Sequence, residues 1–161
     1  MKDTMKNLIY DKNTTLVFDI DGVLFPYEVG EYNHGLMEND WKNYLKDHWV
    51  YKGEPIEVFR KLISDRFSNG CRDFVISRSL SNEESMQKQS YISGNYDIDV
   101  DDIFFVKENN EKLDVLRKIH QKFLIKDEKH VVMIDDSIEI LNHIMENSHF
   151  STIHVSSFLQ L

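Results

Sequence analysis

Short apolar runs alternate with segments of helical periodicity along most of this chain. The runs typical of β-strands cover residues 16–18, 74–76, 103–106, 131–134 and 153–155. In the segments between them, apolar residues recur at helical spacing. Strands that alternate with helices predict βαβ units, and the nearly continuous apolar runs predict that both faces of the sheet are covered. We therefore expect an α/β fold, with a doubly wound, mostly parallel, five-stranded sheet and helices on both faces.

Two of the predicted helices carry boundary signals. Glu54-Pro55 favours a helix start, because proline is tolerated in the first helical turn, and Asn69-Gly70 ends the same helical pattern. Ser81 with Glu84 matches a capping box, which predicts a helix that begins there and reaches about Tyr91.

One segment does not follow this alternation. Residues 25–53 are too long for a simple connection after the first strand, so we interpret them as an insert within a single domain, 1–161. Four apolar residues of the insert share one helical face: Met37, Trp41, Leu45 and Trp49. The insert is either a helix packed on the core or a small lid, with Tyr32, Trp41 or His48 near a ligand.

Polar residues gather where the predicted strands end. Asp19 follows the first strand, Ser77 the second and Asp135 ends the fourth. In an open α/β sheet, ligands bind at the carboxyl ends of the strands. We therefore expect these residues to contribute to one site.

Asp19-Ile20-Asp21-Gly22 is the leading motif. Residues at positions i and i+2 of an extended strand end point to the same side, which brings the two carboxylates together. Such carboxylates repel each other, and a divalent cation with a preference for oxygen ligands, such as magnesium, would stabilise them. Gly22 permits a sharp turn after the strand. Asp-Gly is also a common turn pair, so the motif alone fits an acidic surface turn as well.

Serine and basic residues near the predicted strand ends suit a phosphate group. The Ser77 hydroxyl can donate to a phosphate oxygen with the help of the following amides, and Arg78 can add a charged contact. Lys112 begins a helical pattern and could reach the same phosphate. Lys107, directly after the third strand, is its rival. Each basic residue also fits a solvated surface position.

Asp135 and Asp136 end the apolar fourth strand. Two acids at that position cost free energy unless they are paired or bind a metal. Ser137 is placed to cap the helix that follows. A helix cap accounts for one acid but not for two, so this pair is a second candidate part of a metal site.

These four elements, in this order, resemble the four motifs of the haloacid dehalogenase superfamily. Asp19 and Asp21 match the first motif, Ser77 the second, Lys112 the third, and Asp135 with Asp136 the fourth. The resemblance covers about residues 16–155 and implies a Rossmann-like, capless or minimally capped catalytic domain. Two departures from the family's motifs leave the subfamily unassigned. Ile140 stands where an acid would follow Asp136 by one helical turn, and no proline follows Lys112.

The resemblance also implies roles for these residues. Asp19 would attack phosphorus and form an aspartyl-phosphate, and Asp21 would protonate the leaving group and then activate water. Magnesium would be held by Asp19, the backbone carbonyl of Asp21, and Asp136 with help from Asp135. The phosphate-binding residues would be Ser77 and Lys112, with Arg78 as a further contact.

We therefore expect a magnesium-dependent phosphatase, a phosphomonoester hydrolase acting on a phosphorylated small molecule. A phosphotransferase and a non-catalytic binding or scaffold protein of the same fold are the alternatives. A receiver domain of bacterial signalling fits less well, because its phosphoacceptor follows the third strand, where this chain has Val106-Lys107-Glu108.

Composition limits the partners and the cellular compartment that we expect for this protein. The net charge is −9, which disfavours a broad nucleic-acid-binding surface. Cys71 is the only cysteine, so no intrachain disulfide can form, which fits a reducing, cytoplasmic setting. The N-terminal residues lack the apolar stretch of a signal peptide, and no run reaches the length of a membrane span. The expected protein is cytoplasmic, with no membrane partner.

Overall fold

A five-stranded, wholly parallel sheet forms the centre of the molecule, with the strand order β3-β2-β1-β4-β5. The structure is a computed structural model that describes residues 2–26 and 38–160. Its strands are β1 (Thr15–Phe18), β2 (Phe74–Arg78), β3 (Ile103–Val106), β4 (Val131–Asp135) and β5 (Ser151–His154). The predicted α/β, parallel, five-stranded sheet is confirmed.

The described residues also form six α-helices. They are α1 (Lys2–Tyr10), α2 (Glu38–Asp47), α3 (Glu57–Ser68), α4 (Asn82–Asn95), α5 (Lys112–Lys122) and α6 (Ile138–Asn147). Helix α1 lies before the first predicted strand and was not expected. Helix α3 begins after Pro55 rather than at it, and α4 extends one turn beyond the expected Tyr91. Within the described residues, no helix combines the length and apolar character needed to cross a bilayer.

Side chains alternate across the central strand and define two apolar layers. Leu16 and Phe18 of β1 belong to a cluster that includes buried residues of α1, α2, α3 and α4. Val17, between them, faces the opposite way and packs in a cluster with α5 and α6. Because successive residues of a strand point to opposite faces, this division confirms that helices cover both sides.

The position of β1 creates a switch point in the sheet. From β1 the chain runs outward through β2 to β3, and then returns to the other side of β1 to form β4 and β5. Ligand sites of doubly wound folds lie at such a point, outside the carboxyl ends of the strands. A receiver domain has the order 2-1-3-4-5 instead, so the observed order excludes that alternative.

The described part of the insert packs on the core. Trp41 and Leu45 of α2 are buried. The side chain of Gln87 in α4 accepts a hydrogen bond from the Val50 amide (2.8 Å) and donates to the His48 carbonyl (3.0 Å). Helix α2 ends at Asp47, so Trp49 is outside the helix and exposed, contrary to the expected shared face.

Met37 and Tyr32 lie outside the described residues. The role of the insert as a lid stays a prediction, as does the extent of the single domain.

Candidate active site

The four predicted acids of the site surround one cavity at the carboxyl edge of the sheet. The cavity has a volume of about 420 Å³, and its lining includes Asp19, Asp21, Asp135 and Asp136. The Asp19 amide donates to the Ile134 carbonyl (2.9 Å), which joins the ends of β1 and β4. This hydrogen bond places the first and fourth motifs side by side.

A tight turn follows Asp19. The amides of Val23, Leu24 and Phe25 all donate to the Ile20 carbonyl, at 3.1, 2.9 and 2.8 Å. Gly22 has φ of 74°, a left-handed conformation that side chains disfavour, so the glycine serves the predicted sharp turn. The turn keeps Asp21 at the cavity wall, two residues beyond Asp19.

Asp19, Asp135 and Asp136 form a group that could hold a metal ion. One carboxylate oxygen from each residue lies within 4.8 Å of the other two. Oδ1 of Asp19 is buried and has no hydrogen-bond partner among the described residues. Three carboxylates with an unpartnered buried oxygen fit a hard divalent cation. The Asp21 carboxylate, which also lines the cavity, does not belong to this group.

Lys112 is the lysine that the fold brings to these acids. Its Nζ atom lies 2.8 Å from Oδ2 of Asp135 and 3.2 Å from Oδ2 of Asp19. Burial by itself would lower the pKa of Lys112, but the charges of Asp19 and Asp135 raise it above the ordinary value. Lys107, the rival candidate, is exposed.

Burial acts on the carboxylates in the opposite direction. It raises the pKa of Asp19 from 3.8 to about 6, while the positive charge of Lys112 opposes the shift. Burial also raises the pKa of Asp135 and of Asp136 above their ordinary values. The ionised cluster is therefore costly for the protein alone, and a cation would offset that cost.

The predicted phosphate contacts differ in their access to the cavity. Ser77 is fully buried at the end of β2, and its Oγ atom lies 3.3 Å from Nζ of Lys88. Arg78 lines the cavity. The guanidinium group of Arg78 pairs with Glu38 of α2, and its Nε donates to the Lys107 carbonyl (2.9 Å). Arg78 thus connects the sheet edge to the insert.

Ser137 connects the fourth motif to α6. Its side chain accepts from the Ile140 amide (3.4 Å), so the predicted helix cap is confirmed. The Ser137 amide in turn donates to Oδ1 of Asp135 (2.9 Å). Asp135 is therefore held by the turn after β4 on one side and by Lys112 on the other.

Sequence reasoning assigned no role in the site to Lys88 or Tyr51, and it treated Glu84 only as part of a helix cap. Nζ of Lys88 lies 2.6 Å from Oδ2 of Asp21, and the Tyr51 hydroxyl donates to Oδ1 of Asp21 (2.8 Å). One signal could have revealed two of the three: Glu84 and Lys88 are four residues apart, on the inward face that Tyr91 continues. Tyr51 follows the insert helix and carries no comparable signal.

No protein-family model matches the chain, and no curated protein matches it. A solved structure that shares the fold is the N-terminal part of the protein BF1531 from Bacteroides fragilis, which contains a phosphatase domain and is complexed with Mg. The two structures have a TM-score of 0.54 and 20% sequence identity, and the match covers 92% of this chain. It covers 38% of that chain, so this protein spans well under half of its neighbour. The similarity establishes a common α/β fold.

Proposed function

We propose that this protein is a magnesium-dependent phosphatase of the haloacid dehalogenase type, which hydrolyses phosphomonoesters through an aspartyl-phosphate. The observation that carries the proposal is the buried Oδ1 of Asp19, which has no hydrogen-bond partner among the described residues and lies within a group of three acids beside Lys112. A nucleophile needs a free oxygen and a neighbouring positive charge to offset the incoming phosphate. The shared fold with a Mg-complexed phosphatase domain supports the same proposal.

The donor set fits magnesium. Asp19, Asp135 and Asp136 would hold the ion, together with the backbone carbonyl of Asp21, because all of these ligands are oxygen atoms. When bound, the ion supplies charge neutralisation for the transferring phosphoryl group. The protein's own contribution is a buried Lys112 that keeps the nucleophile oriented and ionised.

The reaction divides into two displacements at phosphorus. A carboxylate oxygen of Asp19 forms a bond to phosphorus while the bond from phosphorus to the ester oxygen breaks. The departing oxygen keeps that electron pair and takes a proton from Asp21. Asp21, now ionised, then accepts a proton from water as the water oxygen attacks phosphorus. The bond between phosphorus and Asp19 breaks, which restores the carboxylate and releases inorganic phosphate.

The proposed phosphate contacts are Ser77, Arg78 and Lys112. Lys112 is buried and does not itself line the cavity. Among the described residues, two oxygen atoms lie close to its Nζ atom, Oδ2 of Asp19 and Oδ2 of Asp135, so one of its three N–H donors is left for a phosphate on Asp19. Arg78 faces the cavity and can turn from Glu38 to a bound anion. Ser77 is fully buried and is not part of the cavity lining, so it is the least direct of the three.

The cavity volume, about 420 Å³, falls within the range for small-molecule sites and supports a small phosphorylated substrate. Trp41 and Tyr51 add aromatic surface to its lining. We expect these side chains to contact the part of the substrate that leaves with the ester oxygen.

A phosphate-release screen over a panel of phosphorylated metabolites, with magnesium and with a chelator, tests the proposal. We expect magnesium-dependent release, lost on chelation, restored by magnesium and poorly restored by calcium, because the looser coordination of calcium misplaces the nucleophile. Full activity after exhaustive chelation would contradict the proposal. Magnesium binding without turnover on any phosphorylated compound would favour a scaffold protein, and transfer to an added alcohol in place of water would favour a phosphotransferase.

A further inference from the structure

Both carboxylate oxygens of Asp21 are held by side chains that come from distant parts of the sequence. Lys88 of α4 holds Oδ2 at 2.6 Å, and the Tyr51 hydroxyl holds Oδ1 at 2.8 Å. Glycine and main-chain turns place the backbone of Asp21, but they do not set the rotation of its carboxylate. The two contacts on opposite oxygens set that rotation.

Lys88 has no donor left for a substrate. Its ammonium group has three N–H donors. Four oxygen atoms lie close to it: Oδ2 of Asp21 and the Arg78 carbonyl at 2.6 Å each, Oε1 of Glu84 at 2.8 Å, and Oγ of Ser77 at 3.3 Å. The side chain is also fully buried and does not line the cavity. Lys88 is therefore built to hold protein groups and not to bind phosphate.

Lys88 is itself held in place. Glu84, one helical turn earlier, contacts Lys88 through Oε1 and accepts the Leu80 amide through Oε2 (2.9 Å). Glu84 is thus anchored where the chain enters α4, and it orients Lys88 towards β1. A buried ion pair costs much of its own attraction in desolvation, and apolar residues of similar size often pack as well or better. General stability is therefore a weak reason for charges at this place.

We propose that Lys88 and Tyr51 are positioning residues for Asp21 in the proposed phosphatase reaction. They lock the carboxylate in the orientation that delivers a proton to the leaving oxygen, with Glu84 fixing Lys88. Small errors in the placement of a reacting group reduce rates steeply, so loss of either contact weakens proton transfer while the attack by Asp19 persists. This inference rests on the proposed function.

The experiment measures kcat and KM for a series of substituted phenyl phosphates and for an alkyl phosphate, with magnesium. Good leaving groups need little protonation, whereas alkoxide leaving groups need it most. Lys88→Met and Tyr51→Phe are expected to lower kcat for the alkyl ester by roughly 10²-fold, within the range for lost acid catalysis. They should lower kcat for the most activated aryl ester by less than about 10-fold, with KM nearly unchanged. Lys88→Arg, which keeps the charge, should recover part of the loss.

Arg66→Met is the matched control. Arg66 is a buried basic side chain that pairs with Asp73 at 2.7 Å, at the opposite ends of the strands from Asp21, so its loss removes a buried ion pair away from the candidate site. It should lower stability without changing the dependence on the leaving group. In the Asp21→Asn background, neither Lys88→Met nor Tyr51→Phe should cause a further loss for the alkyl ester, because the group they position is already inactive.

The outcomes separate the inference from the proposed function. Equal losses for aryl and alkyl esters, or additive losses in the Asp21→Asn background, would overturn the positioning role and leave the phosphatase intact. A parent protein without turnover on every ester would overturn both. If Lys88→Met does not fold, which circular dichroism would reveal, Tyr51→Phe still decides the question, because it removes one hydroxyl and keeps the buried ring.

Discussion

Two groups of charges lie at opposite ends of the parallel strands, which we call the amino edge and the carboxyl edge of the sheet, and they are built differently. At the amino edge, Arg66 of α3 pairs with Asp73, which directly precedes β2. At the carboxyl edge, the candidate active site collects acids around Lys88 and Lys112. The amino-edge pair is fully buried, whereas Asp21 and Asp136 of the carboxyl-edge group are part-exposed where they line the cavity.

The amino-edge pair is balanced and fully partnered. Arg66 donates to both carboxylate oxygens of Asp73 at 2.7 Å and to the Thr14 carbonyl at 2.6 Å. Asp73 also accepts from the Leu16 amide (2.9 Å), which lies at the start of β1. One positive and one negative charge therefore join α3 to the beginnings of two strands.

The carboxyl-edge group is unbalanced. Its described residues include five acids (Asp19, Asp21, Glu84, Asp135 and Asp136) against two lysines, Lys88 and Lys112. It also contains Oδ1 of Asp19, which has no hydrogen-bond partner within residues 2–26 and 38–160. Burial of charge is therefore not by itself a sign of function. An excess of one charge together with an unsatisfied atom is such a sign, because a ligand completes a group of this kind.

The largest expected effect is on turnover, at the unbalanced edge. Asp19→Asn keeps the size of the side chain and removes the anionic nucleophile, so phosphate release should fall by roughly 10⁴-fold or more while the fold survives. Steady-state kinetics on the best substrate of the screen provide the measurement. Beryllium fluoride, a phosphate mimic, should occupy Asp19 in the parent and fail to bind in the variant. Parental turnover in Asp19→Asn would rule out the aspartyl-phosphate.

The balanced edge should respond through stability instead. Arg66→Met leaves Asp73 buried and unpaired, which should lower the free energy of unfolding by about 3–5 kcal/mol. Urea unfolding at pH 7 measures the change. Adding Asp73→Asn removes the stranded charge but keeps an acceptor for the Leu16 amide, so the double variant should regain much of the loss. A fall in kcat for the folded fraction of Arg66→Met would break the contrast between the edges.

The pH dependence of stability tests whether burial destabilises the ionised acids of the carboxyl edge. Burial raises the pKa of Asp19 from 3.8 to about 6, so the folded metal-free protein binds more protons than the unfolded chain between these values. Stability must therefore fall as pH rises through that window. At pH 7 with a chelator, Asp19→Asn should be more stable than the parent by roughly 1–3 kcal/mol, and the gain should vanish towards pH 4.

Urea titrations of both proteins across pH 4–7 provide this measurement. Saturating magnesium should reverse the order, because the ion stabilises the parent cluster. A metal-free parent that is more stable than Asp19→Asn at pH 7 would show that burial does not destabilise the ionised Asp19 carboxylate.

The smallest expected effect concerns substrate preference at the cavity wall. Trp41 is buried in the core and also lines the cavity. Trp41→Leu should shift the ratio of kcat/KM between two good substrates by roughly 10-fold, the scale at which a pocket distinguishes apolar shapes. Relative rates from competing substrates measure it, and Leu45→Met, a buried change in the same helix, serves as the control. An unchanged ratio with a lower melting temperature would assign Trp41 to the core alone.

The parallel α/β sheet could be predicted from the sequence because its signals are local. Each strand is a short apolar run, and each chemical group stands directly at a strand end, as Asp19 and Asp135 do. In a parallel sheet all carboxyl ends meet at one edge, so the placement of these acids follows from strand assignment. The helix that begins at Lys112 and the cap at Ser137 follow from equally local patterns.

The tertiary structure alone decided which distant side chains meet. Asp21 contacts Tyr51, 30 positions later, and Lys88, 67 positions later, and no periodicity relates them. It also brought Lys112, and not Lys107, to the acids: both stand near the same strand end, but Lys112 is buried against the acids and Lys107 is exposed. A sequence pattern specifies which face of an element is apolar. Which side chains meet, how far apart they lie and how much water reaches them all depend on how whole elements pack. These three properties set the charge balance of the candidate site.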